Sequence, residues 1–324
     1  MYSQEEMIRV AKLYYEMNLT QKEIAERLPY SRATISRMLD TAYKQGIIQV
    51  KINYPLNSVQ QLEEKISTTY SIKKVFVSPV YVEDPTLILK DVGRAAAQYL
   101  YEICNDDCIL GVSWGKTLAS IYPHLNPKNV KNMKVVQLNG GIAKNSFSTG
   151  AAQLLEKFSE AFSTGYHLLS VPTIVDSEMI ARVMTSDSSI NETLELVRES
   201  NIAIFGIGNV SYDNVLYKGG FFKENSYEEL ISKKAVGDIC SRYFRIDGKL
   251  ADEELNKRTI GLRLEDLRKK EHSIAVASGK SKAKSVIGAL NGGYVNALFI
   301  DEVLATEMIK LTCGENEREG SKII

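Results

Sequence analysis

Four short segments carry the residues best suited to holding a charged, hydroxylated small molecule. They are Gly111-Val112-Ser113-Trp114-Gly115-Lys116-Thr117, Asn139-Gly140-Gly141, Gly206-Ile207-Gly208-Asn209 and Ser278-Gly279-Lys280-Ser281-Lys282. Each follows an apolar, β-forming run, and the first and last also precede helical periodicity. Glycine lets backbone approach a ligand closely, and the amides of a helix's first turn attract anions. Ser113, Trp114, Gly115, Lys116 and Thr117 therefore read as one wall of an anion site. Lys282 supplies a cation from the opposite side, and Asn139, Gly140, Gly141, Gly206 and Gly208 complete the cleft. Asp238, in Val236-Gly237-Asp238-Ile239-Cys240, suits the hydroxyls of a sugar, with an ordinary turn or cap carboxylate as the plainer reading. One glycine after a strand is usually only a turn. Four such ends together predict a polar cleft that accepts phosphate.

A second chemistry sits near the start of the chain. Thr20-Gln21-Lys22-Glu23 spells a capping box, and Ser31 suits the N-cap of the next helix. That helix turns Ile35, Met38, Leu39 and Ala42 inward and leaves Arg32, Thr34, Ser36 and Arg37 outward. Five basic residues (Arg27, Arg32, Arg37, Lys44, Lys51) face a single acid, Asp40, over positions 27–51. Two helices joined by a tight turn place the second in the major groove, where an arginine fork pairs with guanine. Arg32 and Arg37 are the base readers of this scheme. Thr20, Gln21, Ser31, Thr34, Ser36 and Lys51 are further DNA contacts, several of them to phosphate. The plainer alternative is a packing module with a solvated basic face. Pro29 stands where many such turns carry glycine, and it still stops the first helix.

Catalytic chemistry is not spelled out. His124, His167 and His272 are scattered, and the charged surroundings of His272 predict a solvated ring. A Walker lysine motif, a nucleophile elbow and the full dinucleotide fingerprint are absent. Cys104, Cys108, Cys240 and Cys313 lack the grouping of a disulfide framework or zinc site, so they read as core or surface thiols. No metal, no cofactor and no catalytic residue is expected. The rival expectation is a sugar-phosphate isomerase or deaminase with an appended DNA module and Asp238 as its acid or base.

The elements that must position these residues follow from pattern. The chain has 324 residues, 44% hydrophobic and 25% charged, enough for about two soluble domains. Forty basic residues balance forty acidic ones, which argues against a polycation that coats nucleic acid by charge alone. No apolar run reaches membrane-spanning length, and the amphipathic, early-acidic start does not read as a secretion signal, so a cytoplasmic location is expected. Residues 1–55 predict a winged helix-turn-helix, with Ile47–Ile52 as the wing strand. Residues 56–324 predict a large α/β domain that binds an effector and oligomerises. Its strands are expected at 74–80, 108–113, 134–138, 167–171, 202–207, 273–277 and 297–300. Helices are expected at 87–104, 116–125, 149–162, 177–184, 190–199, 282–290 and 302–311, and residues 211–225 read as a surface excursion. Such alternation argues for a mostly parallel sheet with ligands at its carboxyl edge.

With these residues in hand, the chain resembles the SorC family of bacterial transcription regulators along nearly its whole length. QKEIAERLPYSRATISRML, GVSWGKTL, VVQLNGGI, AVGDICSRYF and SGKSKAKSVIGALNGGYVNALFIDE carry the resemblance. AVGDICSRYF and NKRTIGLRLEDLRKKE are most similar to its deoxyribonucleoside-regulator branch. The resemblance implies a winged helix-turn-helix fused to a sugar-binding domain similar to sugar-phosphate isomerases but used as a sensor. It implies a dimer or tetramer on operator DNA, acting as a repressor whose binding a phosphorylated sugar controls. Ser113 to Thr117 and Lys282 would cradle the phosphate, and Asp238 would face the sugar. The family's deoxyribose-5-phosphate sensor carries a lysine before the Gly-Gly pair that forms a Schiff base. Asn139 occupies that position here, and an amide forms no imine; Lys144 lies five residues on. Ser278 stands where many members have glycine.

Overall fold

The computed structural model describes residues 2–50, 59–142, 149–222 and 224–320. The chain divides into two compact units, Met1–Pro55 and Leu56–Ile324.

The front unit is helical. α1 (Gln4–Ala11) runs into a π-helical turn at Lys12–Glu16, followed by α2 (Gln21–Arg27) and α3 (Arg32–Lys44). Caps set each start. Ser3 and Glu6 form one capping box, and Thr20 and Glu23 form the other. The Ser31 hydroxyl accepts from the Thr34 amide at 3.1 Å. Met7, Val10, Ile24, Leu28, Ile35, Met38, Leu39 and Ala42 close a small core between the helices. The expected strand at 47–52 does not form over its described part. Gly46 turns left-handed (φ 74°), its amide donates to the Tyr43 carbonyl, and the Ile47 amide donates to the Ala42 carbonyl. This is a Schellman end, which folds Ile47 and Ile48 back onto the helix they follow. The apolar pair thus caps α3 and packs on its core, with Ile48 buried. Lys51 and Ile52 lie outside the described residues.

The rear unit begins with α4 (Gln60–Tyr70), β1 (Lys74–Ser78), α5 (Pro85–Ile103), β2 (Ile109–Val112) and α6 (Lys116–Ala119). It continues through β3 (Lys134–Gln137), α7 (Ala151–Ala161), β4 (Tyr166–His167), α8 (Glu178–Ser186), α9 (Ser188–Glu199) and β5 (Ile202–Gly206). Next come β6 (Gly208–Asn209), α10 (Val215–Lys218), α11 (Glu224–Ser232), β7 (Ala235–Ile239), β8 (Arg242–Arg245), α12 (Glu253–Lys257) and α13 (Leu264–Leu267). β9 (His272–Val276), α14 (Ala283–Asn291), β10 (Ala297–Asp301) and α15 (Glu302–Gly320) complete it. Seven strands form one parallel sheet in the order β1-β10-β9-β5-β2-β3-β4. β6, β7 and β8 form a small antiparallel sheet.

Successive strand residues point to opposite faces. Leu298 and Ile300 join one core cluster, while Ala297 and Phe299 join the other. Ala203 and Phe205 alternate with Ile202 and Ile204 in the same way. Both faces are therefore apolar, which is why these strands read as continuous hydrophobic runs.

Four expectations for the rear unit change. The strand expected at 167–171 is confined to Tyr166–His167, because beyond it the Leu169 amide goes to the Gln137 side chain and the Val171 amide to the Leu169 carbonyl. The helix expected at 116–125 breaks after Ala119 and resumes as a short 3-10 turn over Tyr122–His124, where Pro123 cannot continue the α ladder. Residues 211–222 are not simply a surface excursion. They contain α10 and bury Leu216 and Phe221 against Tyr227, Leu230 and Tyr243. His272 is not solvated: its ring is 23% exposed, Nδ1 meets the Tyr99 hydroxyl at 3.1 Å, and burial lowers its pKa.

Candidate functional site

The parallel sheet brings the carboxyl ends of β2, β3, β5, β9 and β10 to one edge. A cavity of about 450 Å³ opens there, lined by residues of those ends, the β7–β8 tip, the first turn of α5 and the start of α10. Ligands in such sheets bind outside the strand ends because side chains and loop amides converge there.

Ser113, Trp114, Gly115, Lys116 and Thr117 all line this cavity. Ser113 follows β2 and donates its hydroxyl to Asn139 Oδ1 at 3.0 Å. The Trp114 indole N–H donates to the Gly140 carbonyl at 2.9 Å, and its ring lies against Phe221. Gly115 adopts φ 120°, a conformation that strains any other residue, and so turns the chain into α6. That helix has four residues, so its macrodipole adds little. The Lys116 ammonium, the Thr117 hydroxyl and the loop amides are better suited to hold an anion. From another wall comes Lys282, half-buried, with its ammonium on the Ile207 carbonyl and its pKa lowered by burial despite Asp238. Gly279, at φ 94°, donates its amide to Asp301 at 2.7 Å, which pins the loop ahead of Lys282.

Asp238 sits on β7, not in a turn or at a cap as its plainer reading held. Its Oδ2 accepts the Ser241 amide at 3.1 Å. Burial pushes its pKa up to about 6, against the pull of Lys282 and that amide. The carboxylate lies directly over Gly208, where an added Cβ would stand 2.0 Å from Oδ1. The β7–β8 tip is a two-residue turn with both central residues left-handed, Cys240 at φ 51° and Ser241 at φ 68°. Asn-Gly is the common choice there, and other residues cost about 1 kcal/mol or more each. Arg242 holds this turn in place. Its buried guanidinium donates to the carbonyls of Leu262 (2.6 Å), Asn256 (2.8 Å), Thr259 (2.9 Å) and Gly261 (3.1 Å). Burial lowers its pKa to about 10. The segment it grips pairs in turn with the end of β3, through Leu262 to Leu138 and Gly140 to Ile260.

Asn139 is buried in the cavity wall, whereas Lys144 lies outside the described residues. Gly206, Gly208, Asp238 and Lys282 also line the cavity. Gly140 and Gly141 do not. An added Cβ would meet Val171 and Pro172 at Gly140 and the Gln137 amide at Gly141, so both are close-packing glycines. The sequence reading missed Asn214, Ser241, Cys240, Asp301 and the apolar wall of Ile88 and Leu89. Asn214 alone carried a local signal, as a good N-cap before Val215. Cys104 and Cys108 are buried and Cys313 is exposed. Among the described residues no three ligating side chains gather as for a metal.

In the front unit, Arg32 opens α3 and is exposed, as is Arg37, whose Nε reaches back to the Ala33 carbonyl at 3.4 Å. Thr34 and Ser36 are half-buried, and the Ser31 and Thr34 hydroxyls pair at 2.9 Å. Thr20 is engaged in its capping box, which leaves Gln21, half-exposed, as the first residue of α2. Arg32 and Arg37 are thus on the exposed side of the helix whose opposite stripe forms the core.

Residues 54–310 match the Sugar-bind family, described as "Putative sugar-binding domain". The chain is 38% identical over 302 residues to the deoxyribonucleoside regulator of Bacillus subtilis (strain 168), covering 93% of this chain and 96% of that protein. It is 27% identical to the sorbitol operon regulator of Klebsiella pneumoniae, covering 94% and 97%. The full-length crystal structure of the Klebsiella pneumoniae sorbitol operon regulator SorC superposes with a TM-score of 0.76 at 25% identity, covering 95% of this chain and 99% of that one. No helix among the described residues is long and apolar enough to cross a membrane.

Proposed function

Because the chain belongs to the SorC family of sugar-binding transcriptional regulators, we propose that its cavity takes a phosphorylated sugar and that this ligand controls operator binding by the front unit. The observation that carries the reading is the mixed lining of the cavity. Lys116, Thr117 and Lys282 offer cations and a hydroxyl to an anion, while Asp238 and Asn139 offer polar groups to hydroxyls. A phosphorylated sugar carries both kinds of group on one small skeleton. Asn139 itself forms no imine with an aldehyde, because its side chain is an amide.

Arg32 and Arg37 read base edges in this scheme, and Thr20, Gln21, Ser31, Thr34 and Ser36 hold the backbone. The protein acts as a repressor and binds a two-fold operator as a dimer or tetramer. Sugar and operator favour different subunit arrangements, so each weakens the other by one coupling free energy, about 1–3 kcal/mol. The name of the Bacillus subtilis relative supports genes of deoxyribonucleoside or sugar breakdown as targets.

Trp114 is the only tryptophan and lines the cavity, so it reports directly. A panel of pentose and hexose phosphates is titrated against the full chain by fluorescence, then against its complex with operator DNA. The cognate sugar changes both signals. If the whole panel leaves both unchanged, the reading fails.

One observation favours an enzyme instead: Asp238, raised to about 6, is poised to exchange protons near neutral pH. Turnover of a sugar phosphate that Asp238→Asn abolishes would establish that rival.

A further inference from the structure

We infer that Asn214 and Asp238 together read one hydroxyl of the bound sugar, and that Asn214 thereby sets which sugar the cavity prefers. The inference rests on the cavity being the effector site.

Asn214 cannot turn its amide over without losing bonds. Its Oδ1 accepts the Leu216 amide at 2.7 Å as the N-cap of α10, and its Nδ2 donates to the Asn209 carbonyl at 2.7 Å. The remaining Nδ2 proton is left for Asp238 Oδ1, 3.5 Å away. That separation is beyond a full N–H···O bond. Asp238 Oδ2 is taken by the Ser241 amide, and Lys282 acts on the carboxylate by charge, so among the described residues that long contact is the one hydrogen-bonding approach to Oδ1. Both side chains line the cavity.

A donor and an acceptor are therefore held side by side, each under-used, at the wall of the cavity. A hydroxyl complements the pair, donating to Asp238 Oδ1 and accepting from Asn214 Nδ2. A phosphate oxygen does not, because it brings negative charge to a carboxylate. A bare methylene does not, because it leaves the buried oxygen unpaired. Gly208 is what brings the pair together. A Cβ at that position would meet Asp238 Oδ1 at 2.0 Å and Asn214 Nδ2 at 3.2 Å. Sites built to hydrogen-bond a hydroxyl discriminate strongly against analogues that lack it.

The test separates recognition from capping. Asn214→Ser keeps a good N-cap oxygen but is too short to reach the ligand. Asn214→Asp keeps the cap and replaces the donor with a second carboxylate. Full-length wild type and variants are titrated by calorimetry with pentose 5-phosphates, hexose 6-phosphates and their monodeoxy analogues, with thermal melts as the folding control. The best-binding sugar should lose about tenfold in affinity with Asn214→Ser and more with Asn214→Asp. The analogue lacking the read hydroxyl should bind wild type and Asn214→Ser equally. Unchanged affinity and ranking in Asn214→Ser would overturn the inference, as would an equal loss for every sugar. If wild type binds no member of the panel, the effector reading itself falls, and the inference with it.

Discussion

The front unit and the cavity solve the problem of positioning polar groups in opposite ways. The candidate DNA contacts come from one stretch, Thr20 to Arg37, and local caps set their geometry. The cavity collects side chains from Pro85 to Val303, brought in by several strand ends, loops and helix starts. In the front unit a polar side chain needs only its own helix. In the cavity, Asp238 depends on Gly208, the turn at Cys240–Ser241 depends on Arg242, and Arg242 depends on the segment Asn256–Leu262. Local order frees the candidate DNA contacts from long-range packing, and distributed order makes the cavity vulnerable at positions outside its lining, such as Arg242.

The largest expected effect is at Arg242. Arg242→Met strands several buried carbonyls and should cost the rear unit about 4 kcal/mol. Hydrogen exchange should show the loss across β7, β8 and the 256–262 segment, with the front-unit amides unmoved. Equal deprotection of both units would erase the contrast between them. Next, Arg32→Ala and Arg37→Ala should each weaken operator binding by about 1–3 kcal/mol and leave sugar affinity alone. Gel-shift titration of the double variant checks this, and wild-type binding would remove α3 from the interface. Lys116→Gln removes one exposed cation from the anion side and should cost about tenfold in sugar-phosphate affinity, or about 1.4 kcal/mol. Its operator affinity without sugar should match wild type.

The smallest effect concerns pH. Burial raises Asp238 from 3.8 to about 6. Between those values the native chain holds a proton that the unfolded chain has released. Stability from this group therefore falls as pH rises from about 4 to 6 and stays lower above. Asp238→Asn, which has no charge to bury, should be more stable than wild type at pH 7.5. The difference should close by pH 4. Urea midpoints at the two pH values measure it, and a difference that does not depend on pH would rule out burial of the charge as its cause.

Much of this was legible before any coordinates. The caps at Thr20 and Ser31, the inward stripe of α3 and the alternation of strands with helices are short-range patterns. The loops at Ser113–Thr117 and Lys282 announced themselves through glycine, hydroxyl and lysine beside strand runs. The wing expected at 47–52 misread its described part because a period-two apolar pattern also suits the hydrophobic end of a Schellman motif. β7 and β8 were hidden because Gly237 and Asp238 are poor strand formers and Cys-Ser does not spell a hairpin turn. Asn214 was hidden inside a stretch that looked like surface, although Leu216 and Phe221 on either side of Gly219–Gly220 are core residues.

The sequence by itself determined the two-part plan, the helix-turn-helix and the class of residue at each strand end. Those follow from hydrogen bonds and periodicities that span a few positions. Tertiary structure alone decided that Gly208 seats Asp238 beside Asn214, that Gly140 and Gly141 serve close packing, and that Arg242 holds the turn that lines the cavity. These depend on which distant backbones come within van der Waals contact, and steric fit between residues far apart in the chain leaves no periodic trace along it.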